Sequence, residues 1–520
     1  MTHFSSAIDL PFASGLSGQS GPSNVSQYQR YASCSRSKTR LNGNRPKTLI
    51  HILDDDSLLN IFSHSRQGLS GQSEDENHRL LTWTEWRHER WWYGLVQVCR
   101  RWRYLVFESA SHLRLSLVCT HGTPVADMLA HSPPLPLVMD YLYRTAEDEE
   151  GIILALQLRD RVRGIRLEKP VPIWEKLAIA LDGEFPILEY LNIVPQLYPR
   201  RMIEKDINSN LPETFRAPHL RHLFLRNFNI PIESPFITTM GNLIALSLSL
   251  IPPSAYFHPN SLLQQLSLMP QLEILGVTFD SYYPSGDIQS QLSRTPITTR
   301  VALPNLRWMA FQGASAYLEA LLPWVSMPVL HRLQVFFFNQ LTYSIPHLQQ
   351  LLGATGDLRL NTATLTFNEE CFHVMGYPHK GVRTYTLEME LGSGHLDWQV
   401  ASAAQVIHTL KSVFSAVEHL ALEYGRHSTI SLEWNNEADR SQWRELLGLF
   451  DKVKTLVVDE ELNEQVSRSL QPGEGESIAD LLPELHELEY HDASHKVFSG
   501  FINTRQKAGR PVTATNIYPG

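Results

Sequence analysis

Cysteine is scarce in this 520-residue chain: Cys34, Cys99, Cys119 and Cys371 are its only four. Four scattered thiols make no disulfide framework for a chain of this size, so stability must come from buried apolar surface, and a reducing compartment fits. Positive charge is also in deficit, with 45 Lys and Arg against 54 Asp and Glu for a net −9. There is no stripe of Arg and Lys interleaved with aromatics, which argues against a nucleic-acid partner. No apolar run approaches the length of a membrane helix, and no apolar segment precedes a cleavage site near the N-terminus. The expectation is a soluble protein of the cytoplasm, the nucleus or both, without a membrane partner. A Gly-x-Ser-x-Gly elbow, a Walker loop, a dinucleotide fingerprint and a His-Glu-x-x-His pair are all missing. A non-catalytic chain that needs no cofactor is therefore expected.

Some residue types that carry chemistry elsewhere are present but poorly arranged. Cys371, His373 and His379 offer three zinc ligands, yet their spacing matches no standard pairing and no fourth ligand is close. His486, His491, Asp492 and His495 raise the same question, and loop or strand-edge histidines are the simpler expectation in both places, so no metal site is assigned. Gly392-Ser-Gly394 lacks the third glycine and the helix start that hold a phosphate, and reads as a turn after a strand from Tyr385 to Leu391. Glu147 to Glu150 reads as a solvated linker. Residues 1 to 47 are rich in Ser, Gly and Asn, a composition that cannot offset its own ordering entropy and predicts a disordered tail.

Two segments near the N-terminus are strongly patterned. In the run from Leu53 to Phe62, an N-cap drawn from Asp54 to Asp56 precedes Leu58, Leu59, Ile61 and Phe62, with Leu53 placed to pack back on the first turn. Further on, Trp91, Leu95, Val98, Cys99, Trp102, Leu105 and Val106 fall at three- and four-residue spacing. This predicts one helix with a shared apolar face, opposite Arg100, Arg101 and Arg103. Neither short helix buries its face alone. Between them, residues 63 to 87 open on a polar Gly/Ser/Glu run expected to be a solvated insertion, costing only about 0.6 kcal/mol per doubling of loop length. Thr82 to Glu85 is a capping-box pattern that would start the second helix early, with Trp83, Trp86 and Trp91 as added cover.

These segments, above all Val98-Cys-Arg-Arg-Trp-Arg103, resemble the two halves of an F-box over residues 48 to 118. The family has Pro after the first Leu where this chain has Asp54, and a short connection where this chain has its insertion. Expanded fungal F-box families show a similar Arg-Trp-Trp-Tyr entry, here Arg90 to Tyr93. What the resemblance implies is binding to a Skp-type adaptor and through it to a cullin-RING ubiquitin ligase. The adaptor-facing residues carried over are Leu53, Leu58, Ile61, Phe62, Leu95, Val98, Cys99 and Trp102.

Over residues 119 to 515 another pattern recurs: apolar, two variable, apolar, one variable, apolar. Copies led by proline start at Pro186, Pro218, Pro270, Pro304, Pro328 and Pro483, and weaker ones near Val162, Leu243, Leu360, Val382, Val417 and Val453. The mean interval of roughly 29 residues is that of leucine-rich repeats. Helical segments lie between copies, at Ile173 to Leu181, Val400 to Phe414 and Ser441 to Phe450. The expected fold is α/β: an N-terminal helical F-box module, then an irregular leucine-rich-repeat horseshoe with parallel strands inside and helices outside.

Side chains alternate along a strand, so the variable positions define a second face. Its early and middle part is expected to present Tyr190, Asn192, His222, Phe224, Arg226, Trp308, Gln312, Arg332, Gln334 and Phe336, and its end an acidic ladder of Glu388, Glu390, Glu423, Asp459, Glu487 and Glu489. From the resemblance and the repeats together, the chain is expected to be a substrate-recognition subunit, its F-box docking the ligase and its repeats holding an unidentified protein client with a basic segment. The rival expectation is a ligase-independent leucine-rich-repeat scaffold.

Overall fold

The computed structural model describes residues 53–70, 88–141, 148–169, 174–195, 210–280, 296–338, 344–355, 359–368, 371–382, 384–392, 396–425, 440–472, 481–491 and 497–517. The tail at 1 to 47, the capping-box pattern with Trp83 and Trp86, and Asp492 with His495 lie outside these residues. The chain divides into two compact units, Ser6–Val118 with Leu129–Pro136, and Met1–Ser5 with Cys119–Met128 and Leu137–Gly520.

In the smaller unit, helix α1 (Asp55–Ser70) starts after Asp54, whose Oδ1 accepts a hydrogen bond from Ser57 N at 2.7 Å. That bond holds the Asp54 carboxyl below the usual carboxylate range. The helix does not stop at Phe62. Ser63 to Ser70, expected to open a loop, are helical, because extending an existing helix is cheap and Ser65 Oγ donates back to Ile61 O at 2.9 Å. The single helix expected from 91 to 106 is also corrected. A 3-10 turn at His88–Tyr93 is followed by α2 (Leu95–Val98) and α3 (Arg100–Glu108), separated by an extended Cys99 with φ −159° and ψ 170°. Cys99 serves as the N-cap of α3, its Sγ accepting from Trp102 N at 3.5 Å. The break lets Trp102 meet Phe62 edge-on, ring centroids 4.8 Å apart.

The larger unit is α/β, built on one mostly parallel sheet. Its strands begin with β1 (Leu117–Thr120), β2 (Leu137–Tyr141), β3 (Val162–Lys169), β4 (Tyr190–Pro195), β5 (His222–Arg226), β6 (Ala245–Ile251) and β7 (Ile274–Phe279). There follow β8 (Val301–Ala302), β9 (Trp308–Gly313), β10 (Val325–Ser326), β11 (Arg332–Phe337), β12 (Thr362–Asn368), β13 (Cys371–Tyr377) and β14 (Leu387–Gly392). The last are β15 (His419–Gly425), β16 (Thr455–Val458), β17 (Glu487–Tyr490) and β18 (Thr513–Asn516). Sixteen strands form the main sheet, while β8 and β10 pair separately. Every one of the twelve repeat copies leads into a strand. The expected helices appear as Trp174–Leu181, Leu396–Thr409 with Lys411–Phe414, and Arg440–Leu447.

A recurring turn sets each strand's start. In all six proline-led copies the Leu two residues after Pro donates its N–H to the carbonyl just before Pro: Leu188 to Phe185, Leu220 to Ala217, Leu272 to Met269, Leu306 to Leu303, Leu330 to Met327 and Leu485 to Leu482, at 3.1 to 3.4 Å. Proline's fixed φ suits the second position of such a turn, and the closing Leu is buried in every copy. The strand's own apolar positions then share one face. Leu191, Leu223, Leu246, Leu275, Met309 and Leu333 lie in one register row, all buried.

An inversion corrects the expected run of parallel strands. Chain order would place β12 beside β11, but the sheet order is β11-β14-β13-β12-β15. β13 is antiparallel to both its neighbours, while β11 with β14 and β12 with β15 remain parallel. Asn368 Oδ1, accepting from Cys371 N at 2.8 Å, closes the β12–β13 connection, which is too short for a parallel crossover. The copies near Leu360 and Val382 thus enter the sheet in reversed spatial order. At the centre of this meander, a Cβ added to Gly376 would collide with the methyls of Leu360 and lie 3.1 Å from its Cγ. Leu360 is itself buried. Gly376→Ala should therefore destabilise the larger unit by about 1 to 3 kcal/mol, measured as a lowered denaturation midpoint at unchanged slope.

Candidate functional site

The two patterned segments of the smaller unit do meet. Arg101 joins them: its Nη2 donates to Leu53 O at 2.7 Å and to Asp55 Oδ1 at 2.6 Å, and its Nε to the same Oδ1 at 3.0 Å. Leu58 and Phe62, expected to face a partner, are instead wholly buried in the unit's own core with Trp92, Leu105 and Val106. Leu53, Leu95, Cys99 and Trp102 are half-buried. Of the eight residues, only Ile61 and Val98 are open, at 47% and 58% exposure. Tyr104, on α3, is open as well; an unbroken helix would also have placed it on the outer side, and the apolar pattern of the sequence did not single it out. Ile61, Val98 and Tyr104 are thus the large apolar side chains that this unit exposes among the described residues.

On the larger unit the second face of the sheet is the other candidate, and here the sequence expectation needs correcting. Tyr190, Phe224, Trp308 and Phe336 are buried, not presented to solvent, and so are Asn192, Arg226, Gln312, Arg332 and Gln334. β7, β9 and β11 are buried at every position. Parallel strands bring like positions side by side, and large side chains in adjacent rows then cover one another. Tyr190 lies 5.8 Å from Phe224, centroid to centroid, and the Arg332 guanidinium stands 5.9 Å from the Trp308 ring and 3.8 Å from that of Tyr385. The visible signal was the near absence of alternating charge in β9 and β11.

The acidic positions divide by what they do locally. Glu388 is buried, its Oε1 2.9 Å from His373 Nε2. Asp459 accepts from the backbone N–H of Tyr424 and Glu460, and Glu487 accepts from Thr455 Oγ1 at 3.0 Å, so both brace their own strands. Glu390 and Glu489 are half-buried. Glu423 is exposed, and partial desolvation, reinforced by the Asp459 carboxylate, pushes its carboxyl above the usual range.

The remaining clusters resolve into structure. Cys371 is buried beside Asn368, His373 pairs with Glu388, and His379 is exposed. Among the described residues no group of three His, Cys, Asp or Glu could hold a metal ion. Asp148, expected in a solvated linker, is buried, taking His121 Nδ1 at 2.7 Å and Gly122 N at 3.0 Å. Among the described residues no helix is long and apolar enough to cross a membrane. No protein-family model matches the chain, and no curated protein matches it.

Burial of the second face has a pH consequence. Desolvation, with Arg221 adding to it, pushes the His222 imidazole down to about 4. Between that value and the ordinary 6.5 the unfolded chain binds a proton that the folded chain refuses. Stability is then fully present above pH 6.5 and falls as the pH drops toward 4. The loss assigned to this residue is up to about 3 kcal/mol. His222→Gln should flatten that part of the stability profile, measured by urea denaturation from pH 4 to 7.

Proposed function

We propose that the chain is a non-catalytic substrate-recognition subunit of a cullin-RING ubiquitin ligase. The smaller unit is read as a diverged F-box that binds a Skp-type adaptor, and the larger as an irregular leucine-rich-repeat array that holds a protein client. The observation that carries this is the helical unit itself, in which Arg101 and the Phe62–Trp102 contact join the two F-box-like segments while Ile61 and Val98 stay outside the core. The resemblance at Val98-Cys-Arg-Arg-Trp-Arg103 gives the class of partner. Support for the array is the repeated turn and the parallel register that follows it.

The corrected exposures change which residues test the docking. Phe62→Ala would empty the unit's own core, at a cost of about 3 to 5 kcal/mol, and so confound folding with binding. Ile61→Asp with Val98→Asp alters exposed positions instead. This variant should keep the parental melting temperature and lose co-purification with a Skp-type adaptor and cullin. A folded variant that still captures the adaptor would reject the docking face. Failure of the parental chain to bind any Skp-type adaptor would favour the ligase-independent scaffold.

For the client, complementary charge mainly sets association rate, with apolar contacts supplying most of the holding energy. Only part of the acidic ladder is open to do this. Glu423→Lys with Glu489→Lys should slow association of a client bearing a Lys/Arg-rich segment by about tenfold at low salt, with the difference shrinking as salt is raised. Adaptor binding should be unchanged. Stopped-flow association across ionic strengths measures both, and equal rates would reduce the ladder to a solvated face.

A further inference from the structure

With Tyr190, Phe224, Trp308 and Phe336 buried, the apolar contact that a basic client needs must lie elsewhere on the second face. Past β14 that face changes. The register row that carries Ala310, Gln334 and Glu388 continues through Met375, Thr364, Ala421 and Val457 to Glu489, on β13, β12, β15, β16 and β17 in turn. Ala310 and Gln334 are at most 3% exposed, whereas Met375, Ala421, Val457 and Glu489 are half-buried, so the row opens to solvent beyond the inversion. Met375 is steadied by Tyr377, whose hydroxyl donates to its Sδ at 3.3 Å. A thioether, an alanine and a valine, with Thr364 among them, make an apolar strip that runs across the strands.

Carboxylates border this strip. Two residues beyond Ala421 and Val457, and therefore on the same side of the sheet, stand Glu423 and Asp459, the first exposed and the second half-buried. Glu489 closes the row. The ion pairs nearby are His373 with Glu388, Lys454 with Glu418 and Lys411 with Asp451, and none among the described residues involves Glu423, Asp459 or Glu489. A wholly apolar partner would take water from these carboxylates and return nothing, and a wholly basic one would leave the strip uncovered. Lys and Arg suit both, since their stems lie along apolar surface while the charged head reaches past it. Four strand spacings of about 4.8 Å separate Met375 from Glu489, and six steps of about 3.3 Å along an extended peptide cover the same distance. Side chains facing the sheet then come every second residue, about 6.6 Å apart.

We infer that the larger unit reads its client as an extended segment crossing β13 to β17, with apolar side chains at positions i and i+2 over Met375, Thr364 and Ala421, and Lys or Arg at i+4 and i+6. The stem of the first basic residue lies on Val457 and its head meets Asp459 and Glu423, while the second meets Glu489. This rests on the reading of the larger unit as a client-holding array. It names the recognised element: a linear segment whose apolar and basic side chains share one side. The smaller unit takes no part.

The test is fluorescence anisotropy of a labelled peptide, Leu-Ser-Leu-Ser-Lys-Ser-Lys, and of its reversed sequence, titrated with the purified full chain at low salt. One of the two should bind with a Kd below about 100 μM. Replacing both Leu by Ser, or both Lys by Gln, should weaken binding at least about tenfold. The order Leu-Lys-Leu-Lys-Ser-Ser-Ser sends Leu and Lys to opposite sides of the strand and should weaken it to a similar degree. Ala421→Arg sets bulk and positive charge on the strip and should cost at least about tenfold, and Glu489→Gln at least about threefold, both at the parental melting temperature. Val457→Ser, a smaller change on the same strip, should cost at least about threefold and replaces Ala421→Arg if that variant fails to fold. The inference is overturned if neither peptide binds at about 1 mM, if the reordered peptide binds as well, or if the folded variants keep full affinity. A chain that captures the adaptor but neither peptide would strike this placement and leave the ligase reading standing. Peptide binding by a chain that captures no adaptor would support the placement and remove the ligase role.

Discussion

One local hydrogen bond, from a leucine N–H to the carbonyl three residues earlier across a proline, recurs at six strand starts of the larger unit, at Leu188, Leu220, Leu272, Leu306, Leu330 and Leu485. The turn buries the leucine and delivers the chain to its strand in a constant phase, so that each new strand pairs with its neighbour like position to like position. A slip of one residue would move every buried leucine to the other face. The alignment of Trp308 with Arg332, and of Ala310 with Gln334, is thus a remote consequence of where the prolines lie.

This explains what was legible in the sequence and what was not. The leucine and the apolar residues of the strand are local, within eight residues of one another and led by proline in six copies, and they mark the starts of twelve of the sheet's sixteen strands. The fate of the intervening positions depends on side chains of the adjacent strands, which no local pattern contains. Phe224 and Trp308 look like aromatic recognition residues until Tyr190 and Arg332 are known to lie against them. The β12–β14 inversion was hidden for a related reason. The copies near Leu360 and Val382 carry the ordinary pattern, and only the Asn368–Cys371 closure makes the chain double back. In the smaller unit the capping by Asp54 was readable because Asp is a common cap, whereas the break at Cys99 was not, since Cys rarely caps a helix.

The break at Cys99 has an energetic reading. A continuous helix from Trp91 to Val106 would satisfy more backbone hydrogen bonds, but it would hold Trp102 in line with Val98 instead of against Phe62. Stopping at Cys99 forgoes part of a turn and gains an aromatic contact worth about 0.5 to 1.5 kcal/mol beyond its buried area, together with the Arg101 bonds to Leu53 and Asp55. It also separates two jobs that one amphipathic face would have mixed. Phe62 and Leu58 close the core, while Ile61 and Val98 are released from it. Any docking by this unit then rests on a few side chains that contribute little to its folding.

The larger unit shows the opposite arrangement, in which polar groups are drawn into the interior. Five unsatisfied atoms around Ala310, namely Trp308 Nε1, Gln312 Oε1, Arg332 Nε, Gln334 Oε1 and Glu388 Oε2, at about 1 to 3 kcal/mol each, represent a penalty of the same order as the net stability of a typical domain. The closely packed leucine face, repeated strand after strand, can carry such a load, but packing alone supplies no reason for it. Leucine or methionine at 312 and 334 would remove two of the five without disturbing register.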